Sequence, residues 1–206
     1  MKSFILKDIY TSRYYFLVLL AIAIIVPIFS YFSTFGAGLT FPLVFVSIMI
    51  LGNLISVDQQ FKWDRVANIL PLNTKKIITS KYLLTTIIAI IAGTVAACSI
   101  WISHEVEANL IRPVWSIIVA SILLLAAISF PASIRFGQAK GRLIMVLVFL
   151  IPWITTIQII DKPFFKEFLK NPEGFLWLTY LYLGSAIFLS FVSYSISVKF
   201  YKKQDW

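Results

Sequence analysis

His104 and Glu105 are the first residues to test for chemistry, because a His-Glu pair opens the H-E-x-x-H helix motif that holds zinc. His104 is the only histidine and position 108 is Ala108, so the second imidazole such a site needs is missing. His104, Glu105 and Glu107 are therefore expected in a solvated external loop. Gly137-Gln138-Ala139-Lys140-Gly141-Arg142 brings glycines and cations together, as a phosphate-binding loop does, but the order G-x-x-x-x-G-K-[ST] occurs nowhere in the chain. That stretch reads as a basic turn, and the chain is expected not to hydrolyse ATP by itself. Cys98 is the single cysteine and lies in an apolar run, so it is expected to be a small buried residue outside any disulfide. No catalytic, cofactor-binding or metal-ligating set emerges from these residues.

The elements that would carry any function are apolar. Of 206 residues, 60% are hydrophobic and 13% charged, with a mean hydropathy of +0.90, so the chain has too little polar surface to coat a water-soluble globule. The bilayer must be its solvent. A charge at mid-bilayer costs at least about 2.5–3.5 kcal/mol, so charge-free runs mark candidate spans, and these are 14–57, 82–104, 113–134, 143–160 and 174–198. The first run holds 44 residues, about 66 Å as one helix, roughly twice the membrane, and must fold back, most easily at Gly36-Ala37-Gly38. The expected fold is all-α and polytopic: one transmembrane domain over 1–206, with spans near 14–34, 40–57, 82–103, 114–134, 143–160 and 176–198. Lys7, Asp8 and Arg13 interrupt the N-terminal segment, and the apolar run after them is too long for a cleaved signal, so the first span should stay in the mature protein.

Fourteen of the 18 lysines and arginines fall in the N-terminal segment, 58–81, 135–142 and the tail, against four on the other side, which places both termini in the cytoplasm. The net charge of +9 raises nucleic acid as a partner, but the basic residues flank apolar spans instead of forming one soluble face, so contact with anionic membrane lipid accounts for them and no nucleic-acid partner is expected. No ionisable residue lies well inside a predicted span. A proton- or sodium-coupled carrier needs such a group for its ion, so the energy is expected to come from outside the membrane. Pro27, Pro42, Pro131 and Pro152 should kink or end their helices. Gly184, Ser190, Ser193 and Ser197 are small residues of the last span, and the three serines share one face, suited to close packing before a polar path.

The longest cytoplasmic connection, 58–81, carries the most local structure. Asp58 is expected to cap a short helix running toward Leu70, which Pro71 stops, and Asn73 to cap a second helix leading into the third span. Phe61, Trp63, Val66, Ile69 and Leu70 give the first helix more apolar surface than a free loop needs, so it should meet either lipid headgroups or another protein.

The order Asp58, Phe61, Trp63-Asp64-Arg65, Leu70-Pro71, Asn73 and Lys81-Tyr82 resembles the small six-span permeases of type-2 ABC exporters found in Firmicutes. Two positions depart from that pattern, Val66 for a tyrosine and Thr74 for a basic residue. The tail ending Tyr201-Lys202-Lys203-Gln204-Asp205-Trp206 is similar to the family's ending. The resemblance implies a transporter of the bacterial plasma membrane with two permease chains, as a homodimer or heterodimer, and two separate ABC ATPase subunits that bind the ATP and Mg. It implies that the segment 58–82 is a coupling helix docking in a groove of the ATPase, and that the cargo is hydrophobic or amphipathic, such as a peptide. Residues 2–13 are expected to form an interfacial helix, and 161–174, with Phe164, Phe165, Phe168 and Leu169 among charges, to lie in the outer interface or re-enter it. The competing readings are a secondary carrier or channel, and a non-transporting membrane immunity or scaffold protein.

Overall fold

The computed structural model describes residues 2–32, 41–60, 74–103, 108–137, 140–141, 143–144, 146–148 and 172–203. These residues are helical apart from Ser12 and Gly137, and there is no strand among them. In chain order the main helices are α1 Lys2–Thr11, α2 Arg13–Phe32, α3 Phe41–Gln60, α4 Thr74–Ser103, α5 Ala108–Phe136 and α6 Pro172–Lys203.

Helix is the form that satisfies every backbone group inside one segment, which a chain in hydrocarbon needs. Among the described residues four helices are long and apolar enough to cross a membrane: Arg13–Phe32, Thr74–Ile102, Ile111–Phe136 and Leu176–Lys202. They match the first, third, fourth and sixth expected spans. Helix α3 occupies the second, with a shorter apolar stretch, Pro42–Leu54. Of the expected fifth span only 143–144 and 146–148 are described, all helical, and the proposed turn at 36–38 and the outer segment 161–171 lie outside the described residues. Hydroxyls tolerate these helices because they bond back one turn: Ser47 to the Leu43 carbonyl at 2.7 Å, Thr85 to Lys81 at 2.9 Å, Ser99 to Val95 at 2.7 Å.

Helices α4 and α5 form the interior, with 56% and 61% of their most apolar windows buried, while α2 and α6 are peripheral at 17% and 22%. Lipid is as apolar as leucine, so close approach of backbones must hold such helices together. On α4, Ala89, Ala92 and Ala96 are fully buried beside Gly93, where a Cβ would stand 2.7 Å from Val119 Cγ2 and 3.3 Å from the Trp115 ring of α5. Leu43, Ile50, Leu51 and Leu54 of α3 and Phe130 of α5 complete this core.

One local expectation is corrected. Cys98 is exposed on the outer side of α4, since the buried positions there are Ala92, Ala96, Ser99 and Ile100. Helices α2 and α5 run on through Pro27 and Pro131, and Pro42 sits in the first turn of α3, where no intrahelical donor is needed. Pro152 lies outside the described residues. Gly184 is not a packing contact, because a Cβ there would meet nothing within 4 Å. The basic turn after α5 is built on Gly137, whose φ of 82° lies in the left-handed region. Its N–H caps the Ser133 carbonyl at 3.1 Å, and a Cβ on Gly141 would fall 2.7 Å from Ser133 Cα.

Candidate coupling site

Of the residues singled out in the 58–82 motif, Asp58, Lys81 and Tyr82 are described, while Phe61, Trp63, Asp64, Arg65, Leu70 and Pro71 lie outside the described residues. Asp58 does not cap a new helix. Helix α3 continues through it to Gln60, because its carboxylate is committed sideways to two lysines. Helix α4, Thr74–Ser103, runs unbroken into the third span, as the sequence predicts, while the expected cap Asn73 lies outside the described residues.

Lys81 is the hub. Its ammonium donates to Asp58 Oδ2 at 2.5 Å and to the Leu54 carbonyl at 2.7 Å, and lies 3.8 Å from Asp8 Oδ1. Lys7 donates to Asp58 Oδ1 at 2.6 Å and stands 3.1 Å from Asp8. Two carboxylates and two ammoniums thus meet where α1, α3 and α4 converge. The side chains of Asp8, Asp58 and Lys81 are 4%, 7% and 5% exposed, so water screens them little and each charge depends on the others. Asn53 of α3 adds a bond to Ser12 Oγ at 3.3 Å, at the joint between α1 and α2.

Tyr82 follows Lys81 by one residue, which turns its side chain about 100° around α4, onto α5 and α6. Ser193 Oγ donates to the Ala127 carbonyl at 2.5 Å, so its oxygen must accept from Tyr82 OH at 2.6 Å, and Tyr82 in turn accepts from Ser197 at 3.0 Å. The result is a directed chain, Ser197 to Tyr82 to Ser193 to the α5 backbone. The Tyr82 ring stands edge-on to Phe130 and Tyr194, with centroids 4.9 and 5.7 Å away. Thr79, one turn earlier, bonds Tyr194 OH at 3.0 Å, and Ile78, Ile134, Val198 and Tyr201 pack a small second core at this end. The serine face of α6 is therefore a packing face at Ser193 and Ser197.

The model of the ABC-2 family transporter proteins matches residues 3–202. The chain belongs to that family. No curated protein and no solved structure matches it. As an ABC-2 family member with several apolar helices, it is a multi-pass membrane protein and the membrane component of an ABC transporter, a transport part and not a catalyst in its own right. Within this family chain, the Lys-Tyr pair of the motif has a physical reason: adjacent side chains send α4 into two networks, ionic toward α1 and α3, hydroxylic toward α5 and α6.

Sequence reasoning did not find the partners of these networks. Lys7 and Asp8 read as polar flanks of an interfacial helix, yet Asp8 is buried, while Leu6 and Tyr10 face outward at 51% and 71% exposure. The available signal was an acid and a base kept together in an otherwise apolar N-terminal stretch, but nothing local shows which helix they meet.

Proposed function

We infer that this ABC-2 family chain is the permease subunit of an ATP-driven exporter in the bacterial plasma membrane. Two copies, or one copy with a related chain, pair in the membrane and bind two separate ATPase subunits that hold ATP and Mg. The cargo is hydrophobic or amphipathic, with a peptide as the leading class. Both termini face the cytoplasm, as the basic residues require.

The observation that carries this reading is the placement of the buried ion cluster on both sides of the segment 61–73. Asp58 lies just before that segment and Lys81 shortly after it, and they are joined at 2.5 Å. A force applied to the segment by a closing ATPase would move the ends of α3 and α4 as one body with α1. Tyr82 would pass the motion to α6 and α5 through the hydroxyl chain. Charges that are paired this fully have no vacancy for a coupling ion, which supports an external motor over a secondary carrier.

The test is recruitment. Trp63→Ala and Asp64→Ala should each reduce co-purification of the partner ATPase by at least tenfold, with the permease still present in the membrane. Normal recruitment and export in both variants would exclude the docking role of this segment, and labelling of a cysteine at position 63 from outside the cell would exclude the orientation.

A further inference from the structure

A groove of about 550 Å³ runs between α4 and α6 on the side of the bundle away from the ion cluster. Its walls are Leu83, Leu123, Ile187 and Phe191, interspersed with five hydroxyls, those of Thr79, Tyr82, Thr86, Ser190 and Tyr194. The volume lies within the range of about 300–1,000 Å³ usual for small-ligand sites.

The hydroxyls look like a polar lining but are already committed. Thr79 donates to the Lys75 carbonyl at 2.6 Å, Thr86 to Tyr82 at 2.9 Å and Ser190 to Ala186 at 2.8 Å. Since the Thr79 proton is used, Tyr194 OH must donate to Thr79, and Tyr82 OH donates to Ser193. No donor in the wall remains to meet a guest. A peptide backbone in this groove would leave its carbonyl groups without donors, whereas a hydrocarbon chain asks for none.

The groove also has a polarity along its length. It spans Thr79 to Thr86 on α4 and Ile187 to Tyr194 on α6, about 10 Å in each case, which is less than one leaflet of a hydrocarbon core about 30 Å thick. One end of it, at Thr79 and Tyr194, points toward the basic end of both helices. Lys75 precedes Tyr82 by two turns and Thr86 by three, and Lys202 follows Phe191 by three, so both exposed lysines lie above the groove. Among the described residues the acids at that end are Asp8 and Asp58, both held in the ion cluster, so lysines and arginines outnumber acids there.

We propose that this groove binds one anionic phospholipid of the leaflet at the chain's basic end, with an acyl chain along Leu83, Leu123, Ile187 and Phe191 and the phosphate at Lys75 and Lys202. The site rests on the chain's membrane placement alone and is independent of ATPase docking.

The full chain, purified from membranes and moved into nanodiscs of phosphatidylglycerol or phosphatidylcholine, is examined by native mass spectrometry after extraction. One phosphatidylglycerol per chain is expected to survive delipidation that strips the others, with phosphatidylcholine retained at least tenfold less. Lys75→Gln with Lys202→Gln should weaken retention about 25-fold, since each cation near a membrane surface contributes about a factor of five. Thr86→Phe and Ile187→Trp, two exposed rim positions, should each fill the groove and abolish retention, while Leu181→Trp on the outer surface of α6 should leave it unchanged. Equal retention of both lipids would overturn the anionic assignment. Undiminished retention in both rim variants, or a co-purifying peptide in place of lipid, would overturn the site.

Discussion

Replacing Lys81 by methionine keeps most of the apolar stem of the side chain and removes its charge, which makes it the most direct probe of the buried cluster. In the native protein two cations face two anions, so the net charge is zero. Lys81→Met leaves one negative charge in excess and strips Asp58 Oδ2 and the Leu54 carbonyl of bonds at 2.5 and 2.7 Å. Removing one partner of a buried pair costs about 3–5 kcal/mol, because the remaining ion has already lost its water. Lys7→Met should cost far less, about 1 kcal/mol, since its side chain is 25% exposed and Asp58 keeps its bond to Lys81. Asp58→Asn should fall near the Lys81 value. The double variant Lys81→Met with Asp58→Asn leaves Lys7 and Asp8 as a balanced pair, so it should be at least about 2 kcal/mol less destabilised than the sum of the singles. Reversible denaturant titration in mixed lipid-detergent micelles, followed by near-UV circular dichroism, measures the native protein and the four variants. Single effects below about 1 kcal/mol with strict additivity would show that water or lipid headgroups screen these charges, and the cluster could then not bind α1, α3 and α4 together.

Tyr82→Phe breaks the hydroxyl chain and leaves Ser197 without its acceptor, so a loss of about 1–2 kcal/mol is expected, and adding Ser197→Ala should change little more. The same titration reads both, and full additivity would contradict the linked chain. Gly93→Ala should destabilise by about 1–3 kcal/mol because its methyl would press on Val119 Cγ2 at 2.7 Å, and pairing it with Val119→Ala should restore most of the loss. Gly137→Ala forces a side chain into a φ of 82° and should cost about 1 kcal/mol even though nothing lies within 4 Å of the new methyl, a purely conformational effect visible as a lower thermal midpoint.

The spacing of charges by itself determined the class of this protein and most of its spans, because the cost of a charge in hydrocarbon is so large that it writes the membrane boundaries directly into the sequence. Arg13 opens α2 and Arg112 falls in the second turn of α5, both helices that the structure forms. The segment Trp63-Asp64-Arg65 with Leu70-Pro71 likewise pointed to the ABC-2 family, to which the chain belongs. What the sequence could not supply was pairing. Lys81 and Tyr82 are neighbours in the chain, yet only the rotation between successive helical positions, together with the close approach of α4 to α5 at Gly93, decides that one meets Asp58 and the other Ser193. The expectation that Asp58 would cap a helix failed for the same reason: capping is a local rule, and a lysine 23 residues away made a stronger claim on the carboxylate. Local charge patterns fix where helices meet water, but which helix lies against which depends on backbone approach and on ion and hydroxyl partners far apart in the chain, and these exist only once the bundle has formed.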